Sequence, residues 1–414
     1  MRVETAQAHY DVVIVGGGLV GASFACMLAS QLAGMPVKIL VTEAIESLQA
    51  STSFDARTTA LSYGSQQLYA RLGLWEALAA YSTPIKKIHV SDRGHFGAAR
   101  IDQAEMGVDA LGYVAENQHL GVVLTQALKE SKAIDYLCPA KITHMLPISE
   151  GMQLQLQSAE DEAQFISAGL VVLADGGKSS LSATAGIRQQ VTDYEQSAII
   201  ANVAFSDEHH NIAYERFTDT GPLAVLPLQE LQGENRGALI WTVSQVDASA
   251  MMALDDAQFL NALQARFGHR LGMFTKLGAR ACYPLRLSVA NEQVRPGLVL
   301  LGNVAHSLHP VAGQGLNLAL RDADVLAHTL SQAFAAGEGL GSMCVLQQYM
   351  AQQSSDQLLT TRFSHYTTRL FSNKHPALVW ARKFGLFSID LVPVFKRSFA
   401  RQAMGLVTPK KRSA

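Results

Sequence analysis

The chain has 414 residues, 48% of them hydrophobic and 16% charged, with a formal net charge of -2. That is enough apolar material for two or three lobes with a sizeable core, and the near-neutral balance excludes the basic footprint of a nucleic-acid partner. Cys26, Cys138, Cys282 and Cys344 lie far apart, with no Cys-x-x-Cys and no Cys/His cluster at ligand spacing, so the thiols read as reduced and no metal site is expected.

In chain order, Tyr10-Asp-Val-Val-Ile-Val reads as a buried strand that runs directly into Gly16-x-Gly18-x-x-Gly21. A helical pattern over 22–32, a second apolar strand over 37–41 and an acid at Glu43 complete a dinucleotide-binding unit. Gly16 permits the tight turn, Gly18 lets a pyrophosphate lie against the backbone, and Gly21 lets helix and strand pack closely. Glu43 is placed to accept hydrogen bonds from an adenosine ribose. A separate nicotinamide domain would need a second such fingerprint, and none is present, so the unit is expected to hold FAD. No stretch reaches the roughly 18 apolar residues of a membrane span, and the first apolar strand is no signal peptide. The expected location is the cytoplasm, including its membrane surface.

Residues 51–62 are polar, and a helix follows over 63–72. Arg57, just before it, either reaches a phosphate or flavin edge or is an ordinary exposed arginine. Strands over 85–93 and short strands to 109 read as an excursion into another lobe. A strand over 111–116 leads into a helix over 117–129, where Asn117 and Gln118 either touch the adenosine end of the cofactor or cap the helix. Residues 135–173 read as a meander whose last apolar strand enters Asp175-Gly176 and returns the chain to the nucleotide sheet.

From 194 to 287 the pattern is β-rich, with strands over 198–205, 213–217, 223–228, 238–243 and 281–285 and one helix over 255–267. This sheet is expected to roof the ligand and line the substrate cavity, although spacing assigns none of its residues a catalytic role. A strand over 298–301 then meets Gly302, a loop with Pro310, Gly313 and Gly315, and a helix from Leu316. Taken alone, Gly-x-Gly beside a proline is also an ordinary loop. As a ligand loop it lets a flat molecule approach the backbone and sets a helix N-terminus beside its developing negative charge, as at N1 and C2 of a reduced flavin. Helices follow over 322–334 and 345–370. The stretch 375–402 is basic and amphipathic, suited either to a lipid surface or partner or to its own domain. The fold class is therefore α/β. A discontinuous Rossmann-like FAD-binding domain spans 1–84, 111–187 and 286–372, a β-rich substrate domain 85–110 and 188–285, and a helical C-terminal segment 373–414.

Gly16 to Gly21, Ala174-Asp175-Gly176, and Gly302-Asn303 through His309-Pro310-Val-Ala-Gly313-Gln-Gly315-Leu-Asn317 to Asp322 occur in the order seen in single-component FAD-dependent aromatic hydroxylases, which the chain resembles. The last run is similar to the ubiquinone-biosynthesis branch. Phe54-Asp-Ala-Arg57, His89 to Gly94, Glu215-Arg-Phe-Thr and Gly221-Pro-Leu-Ala resemble the 2-polyprenyl-6-methoxyphenol hydroxylases within it. The resemblance covers residues 10 to about 390. Three positions depart from it: Asn303 where the family has an aspartate for the ribityl hydroxyls, Ser182 near a usual arginine, and Ala319 at a usual glycine.

The resemblance implies FAD, NADH or NADPH as transient co-substrate, O2, and hydroxylation of a polyprenyl phenol through a flavin C4a-hydroperoxide. It implies cofactor contacts from Gly16, Gly18, Gly21, Glu43, Arg57, Gln118, Asp175, Gly302, Asn303, Gly315, Leu316 and Asn317. A flavin-facing loop of His309, Pro310, Gly313 and Gln314 is implied too, with no acid or base assigned in it. A ubiquinone-biosynthesis complex and a peripheral contact with the inner membrane surface through 373–414 are implied as partners. A sister hydroxylase acting at another ring position, a reductase or dehydrogenase of the same fold, and a non-catalytic FAD-bound subunit are the alternatives.

Overall fold

The computed structural model describes residues 8–46, 57–92, 98–158, 163–177, 179–218, 221–308, 313–372 and 393–406. The N-terminal strand His9–Val15 lies parallel between Gln164–Leu173 and Ile39–Thr42, and Leu298–Leu300 extends the parallel array beyond Gln164–Leu173. Its side chains alternate between two covered faces. Val12 and Ile14 pack into a core with helices Leu19–Gln31 and Gln314–Ala335, whereas Val13 and Val15 pack against the hairpin Ala140–Ile148 and Gly151–Ser158. A strand covered on both sides needs a continuous apolar run, which Val12 to Val15 supplies.

A small three-stranded sheet, Thr58–Ser62, Gly112–Glu116 and Ser82–Ile85, joins this layer to a nine-stranded sheet. In the nine-stranded sheet the chain excursion Lys87–Asp92 and Ala98–Asp102 pairs with Ile212–Thr218, beside Gly221–Leu231, Glu234–Ser244 and Gln189–Phe205. One face carries helices Gln245–Ala253 and Asp256–Phe267, through Trp241, Phe259, Leu263 and Phe267. The other face turns toward the loop that enters helix Gln314–Ala335.

Three features differ from the sequence pattern. Helix Gln245–Ala253 precedes the expected one, started by Ser244, whose hydroxyl accepts the Asp247 N–H. It buries only Ala248, so no apolar stripe announces it. Strand Gln189–Phe205 runs for 17 residues, extended at its start by pairing with Ala281–Ala290. A short helix, Trp75–Ala79, lies between the expected helix and the strand Ser82–Ile85.

The described end of the C-terminal segment packs on the chain itself. Ala400 and Met404 are buried against Ile101 and Leu111, the Gly64 N–H donates to the Met404 carbonyl at 2.8 Å, and Lys396 pairs with Glu105 at 2.7 Å. The remainder of the expected amphipathic stretch, 375–392, lies outside the described residues. Among the described residues no helix is long and apolar enough to cross a membrane.

Candidate active site

Three turns meet at the carboxyl ends of the parallel strands, the place where open α/β sheets bind ligands. In the first, Gly16 has φ +104°, and a Cβ there would stand 2.7 Å from the Ala174 carbonyl oxygen. A Cβ on Gly21 would stand 1.9 Å from the Gly16 oxygen. Both glycines are therefore required by the fold itself. Gly18 differs: nothing lies within 4 Å of its Cβ position, and it begins helix Leu19–Gln31 with no side-chain cap and no acid in the first turn. The open space and the uncapped N–H groups form a cradle that suits a pyrophosphate.

Glu43 stands beside this cradle. Its Oε2 accepts the Gly17 N–H at 2.9 Å and its Oε1 the Ile45 N–H at 3.0 Å, so it grips the turn, and each oxygen retains a lone pair for a ribose hydroxyl. In the second turn the Asp175 carboxylate accepts the N–H groups of Gly177 and Ser179 at 2.9 and 3.0 Å, fixing the exit of strand Gln164–Leu173. In the third, Gly302 (φ +74°) packs on Val20 at the start of the first helix, and Asn303 is exposed.

Farther along, Gly313 (φ +61°) begins helix Gln314–Ala335, and a Cβ there would press on Ala60 at 3.1 Å. Gly315 again faces open space, with nothing within 4 Å. The Asn317 side chain is fully engaged by protein: Oδ1 accepts from Ser62 N and Ser65 Oγ, and Nδ2 donates to the Ala60 and Gly313 carbonyls. Only its backbone is left to face a ligand. His309 and Pro310 lie outside the described residues; Gln314 and Leu316 line the adjoining cavity.

Arg57 is exposed, with its guanidinium 5.5 Å from the centre of the Tyr283 ring on the nine-stranded sheet. Gln118 contacts Glu116 at 3.4 Å, and Asn117 accepts the Thr59 hydroxyl at 2.6 Å. Helix capping is thus not their role. The helix is entered at Glu116 without any side-chain cap, and Asn117 instead ties it to strand Thr58–Ser62. His306 is buried with Nε2 3.2 Å from Asp322 Oδ2, within ion-pair distance but outside hydrogen-bond geometry, and it does not line the cavity.

Between this floor and the nine-stranded sheet lies a cavity of about 350 Å³. Its floor includes Ala60, Ser62 and the Gly313 to Asn317 turn, and its roof Ile200, Ala224, Leu226 and Ile240. One carboxyl interrupts this apolar lining. Glu215 projects from strand Ile212–Thr218, and burial pushes its acid up to about 7. Sequence reasoning missed its placement because a lone acid on an alternating strand has the look of a solvent-facing residue.

Comparison with known proteins agrees with this geometry. A family model described as an FAD binding domain matches residues 9–355. The ubiquinone hydroxylase UbiL of Rhodospirillum rubrum is 36% identical over 395 residues, covering 95% of this chain and 89% of its own. The 3-demethoxyubiquinol 3-hydroxylase of Escherichia coli K12 is 32% identical, covering 96% and 98%. The mouse mitochondrial ubiquinone biosynthesis monooxygenase COQ6 is 29% identical, covering 95% and 90%. Among solved structures, p-nitrophenol 4-monooxygenase PnpA of Pseudomonas putida DLL-E4 superimposes with a TM-score of 0.77 at 18% identity, over 97% of this chain and 98% of that one, which is a likeness of fold.

Proposed function

The chain belongs to the FAD-binding-domain family and, within it, to the FAD-dependent hydroxylases of ubiquinone biosynthesis, and we propose that its substrate is a 2-polyprenyl-6-methoxyphenol. The observation that carries the reading is the apolar cavity of about 350 Å³, roomy enough for one substituted phenol ring and closed on one side by the Gly313 to Asn317 turn. Its lining favours a ring over a charged metabolite, because burying an unpaired charge there is costly.

FAD bound in this fold, reduced by NAD(P)H, supplies the activated oxygen. The residues of the chain do the rest. In our assignment residues 1–84, 111–187 and 286–372 hold the cofactor and 85–110 with 188–285 cover the substrate. Gly18 and the first turn of helix Leu19–Gln31 receive the pyrophosphate, and Glu43 the adenosine ribose. Asp175, Gly302 and Asn303 flank the ribityl chain, with asparagine donating or accepting where an aspartate would only accept. Arg57 reaches the flavin edge from beside Tyr283. Gly315 and the backbone N–H groups of Leu316 and Asn317 face the isoalloxazine, and the apolar roof keeps water from the reacting centre.

The test is turnover. Purified yellow protein supplied with NADH or NADPH, O2 and a prenylated 2-methoxyphenol should consume oxygen and yield a product heavier by one oxygen atom at one of the three unsubstituted ring positions. A product formed only from a demethoxy ring would move the assignment to a sister hydroxylase. NAD(P)H oxidation that never depends on O2 would make it a reductase.

A polyprenyl substrate resides in the bilayer, and from this we infer that the C-terminal segment meets the inner membrane surface peripherally. Lys396, Ala400 and Met404 are committed to the chain's own body, so the test is aimed at the apolar and basic sequence Trp380 to Phe387, which lies outside the described residues. Serine at Trp380 and Phe384 should abolish flotation with anionic vesicles while leaving bound flavin unchanged. Undiminished flotation would contradict the inference.

A further inference from the structure

Glu215 occupies a position that packing alone does not explain. In the ladder it stands opposite Ala224, which stands opposite Ile240, which stands opposite Ile200. On its other side it pairs with Val90. The row crossing the roof is therefore apolar except for this one carboxyl, and all but Val90 line the cavity. Among the described residues the carboxyl has no hydrogen-bond or ion-pair partner, and burial is the sole cause of its raised affinity for a proton. The side chain is half-buried in an apolar wall, and an acid there without a partner is costly, so a chain with no use for it would place leucine or glutamine here at lower cost.

We propose that Glu215 is the catalytic carboxylate of this cavity, accepting the hydrogen bond of the substrate's phenolic hydroxyl and then its proton. The proposal rests on the phenol-hydroxylase reading above. As the phenolic O–H bond breaks, its proton passes to Glu215 and the oxygen's electron pair moves into the ring. A ring carbon then bonds to one oxygen atom of the O2 activated at the cofactor as the bond between the two oxygen atoms breaks, and the departing oxygen takes up the proton that this carbon goes on to lose. Loss of the proton from that carbon restores aromaticity, and Glu215 returns a proton to the phenolate oxygen. NAD(P)H supplies two electrons, and the second oxygen atom leaves as water. An acid held near 7 suits this task, since a proton acceptor works best with an affinity close to the ambient pH.

Among the described residues the elements around it offer no competing group. Val90 and Ala224 face it from the adjoining strands, and the Gly313 to Asn317 turn carries nothing titratable. Tyr214 is the other titratable group among the described lining residues, and its ring packs edge-on to Phe267 at 5.7 Å on the opposite face. His89, its partner across the ladder, shares that face with Arg216, whose guanidinium donates to the Phe267 carbonyl. His309 lies outside the described residues, so the assignment rests on a variant and not on a pH profile alone.

Glu215→Gln preserves shape and hydrogen bonding but cannot take a proton. With 2-methoxy-6-prenylphenol as probe, the holoenzyme variant should keep the wild-type ratio of FAD to protein. Its kcat should fall about 100-fold, and the acidic limb of kcat/KM near pH 7 should vanish. Glu215→Asp should recover part of the rate. At pH 8 the ultraviolet difference spectrum of the bound probe should show the shift of a phenol hydrogen-bonded to a carboxylate with wild type and lose it with Glu215→Gln. If wild type hydroxylates the probe while Glu215→Gln keeps kcat within twofold, the limb and the spectral shift, the proposal is overturned and the function stands. If wild type forms no hydroxylated product, the function itself is wrong and the proposal falls with it.

Discussion

The side-chain carbonyl of Asn317 accepts the backbone N–H of Ser62 at 2.8 Å, joining the first turn of the second ligand helix to the end of a strand 255 positions earlier. With Ser65 Oγ, the Ala60 carbonyl and the Gly313 carbonyl also bound, every polar atom of that amide is in use. The asparagine holds the floor of the cavity in shape, and the ligand meets its backbone. Asn317→Asp keeps the volume but turns the amide's two donor hydrogens into a carboxylate oxygen pointed at two carbonyl oxygens. Leaving such buried groups unpaired costs about 1–3 kcal/mol apiece, so a loss of about 3 kcal/mol in urea unfolding is expected, together with a lower flavin content after gel filtration. A variant with wild-type midpoint and full flavin would show that the network is incidental.

The glycines separate into two kinds. Gly21→Ala would drive a methyl against the Gly16 carbonyl oxygen, closer than any side-chain adjustment relieves. Expression of folded protein should fail, or Tm should fall sharply with or without added FAD. Gly18→Ala and Gly315→Ala meet no atom of the described residues within 4 Å. These variants should fold with a near wild-type midpoint in the absence of FAD and bind it at least 10-fold more weakly, read by quenching of flavin fluorescence. Equal FAD affinity would mean that the open space at either position is not where the cofactor lies.

The first turn was legible in the chain because it is local: strand, bend and helix are contiguous, and periodicity changes at the bend from Val15 to Leu19. What could not be read depended on side chains meeting across long sequence separations. Glu43 looked like a ribose ligand, and its grip on the Gly17 N–H appears only when the two strands stand side by side. Asn117 looked like a cap until its contact with Thr59 was visible. Glu215 stands in a motif of the resemblance but without a role, since strand alternation tells which residues share a face and not what covers that face.

A buried ion pair crosses between layers. Arg236 Nη2 of strand Glu234–Ser244 lies 2.9 Å from Glu116 Oε1 at the end of Gly112–Glu116, and Arg236 Nε donates to the Gln229 carbonyl at 2.6 Å. His119 stands 3.1 Å from the other Glu116 oxygen, stacked on Tyr81 with ring centres 4.0 Å apart. Removing one partner of such a pair leaves an uncompensated charge, so Arg236→Met should destabilise by about 3 kcal/mol. Adding Glu116→Gln to it should restore more than half of that loss, because the stranded charge is gone. Additive losses in the double-mutant cycle would show that the two residues do not act together.

The acid in the cavity also makes stability depend on pH, with a sign that can be worked out. Glu215 is raised from an ordinary 4.5 to about 7 by burial, so the folded state holds its proton more tightly than the unfolded chain. Its neutral form is compatible with folding, and the stability advantage of binding that proton is fully present below pH 4.5. It is lost as pH rises from 4.5 to 7, beyond which the folded protein carries a buried carboxylate at constant cost. The full shift corresponds to about 3 kcal/mol, and solvent screening of this half-buried side chain reduces the effective figure to about 1–2 kcal/mol. Glu215→Gln has nothing to ionise at this position, so at saturating FAD it should match wild type near pH 4.5 and exceed it by about 1–2 kcal/mol at pH 8. Unfolding curves at the two pH values check this, and equal pH slopes for the two proteins would refute it. A variant that is steadier at pH 8 yet slower at chemistry is what a group kept for function at the expense of stability should produce.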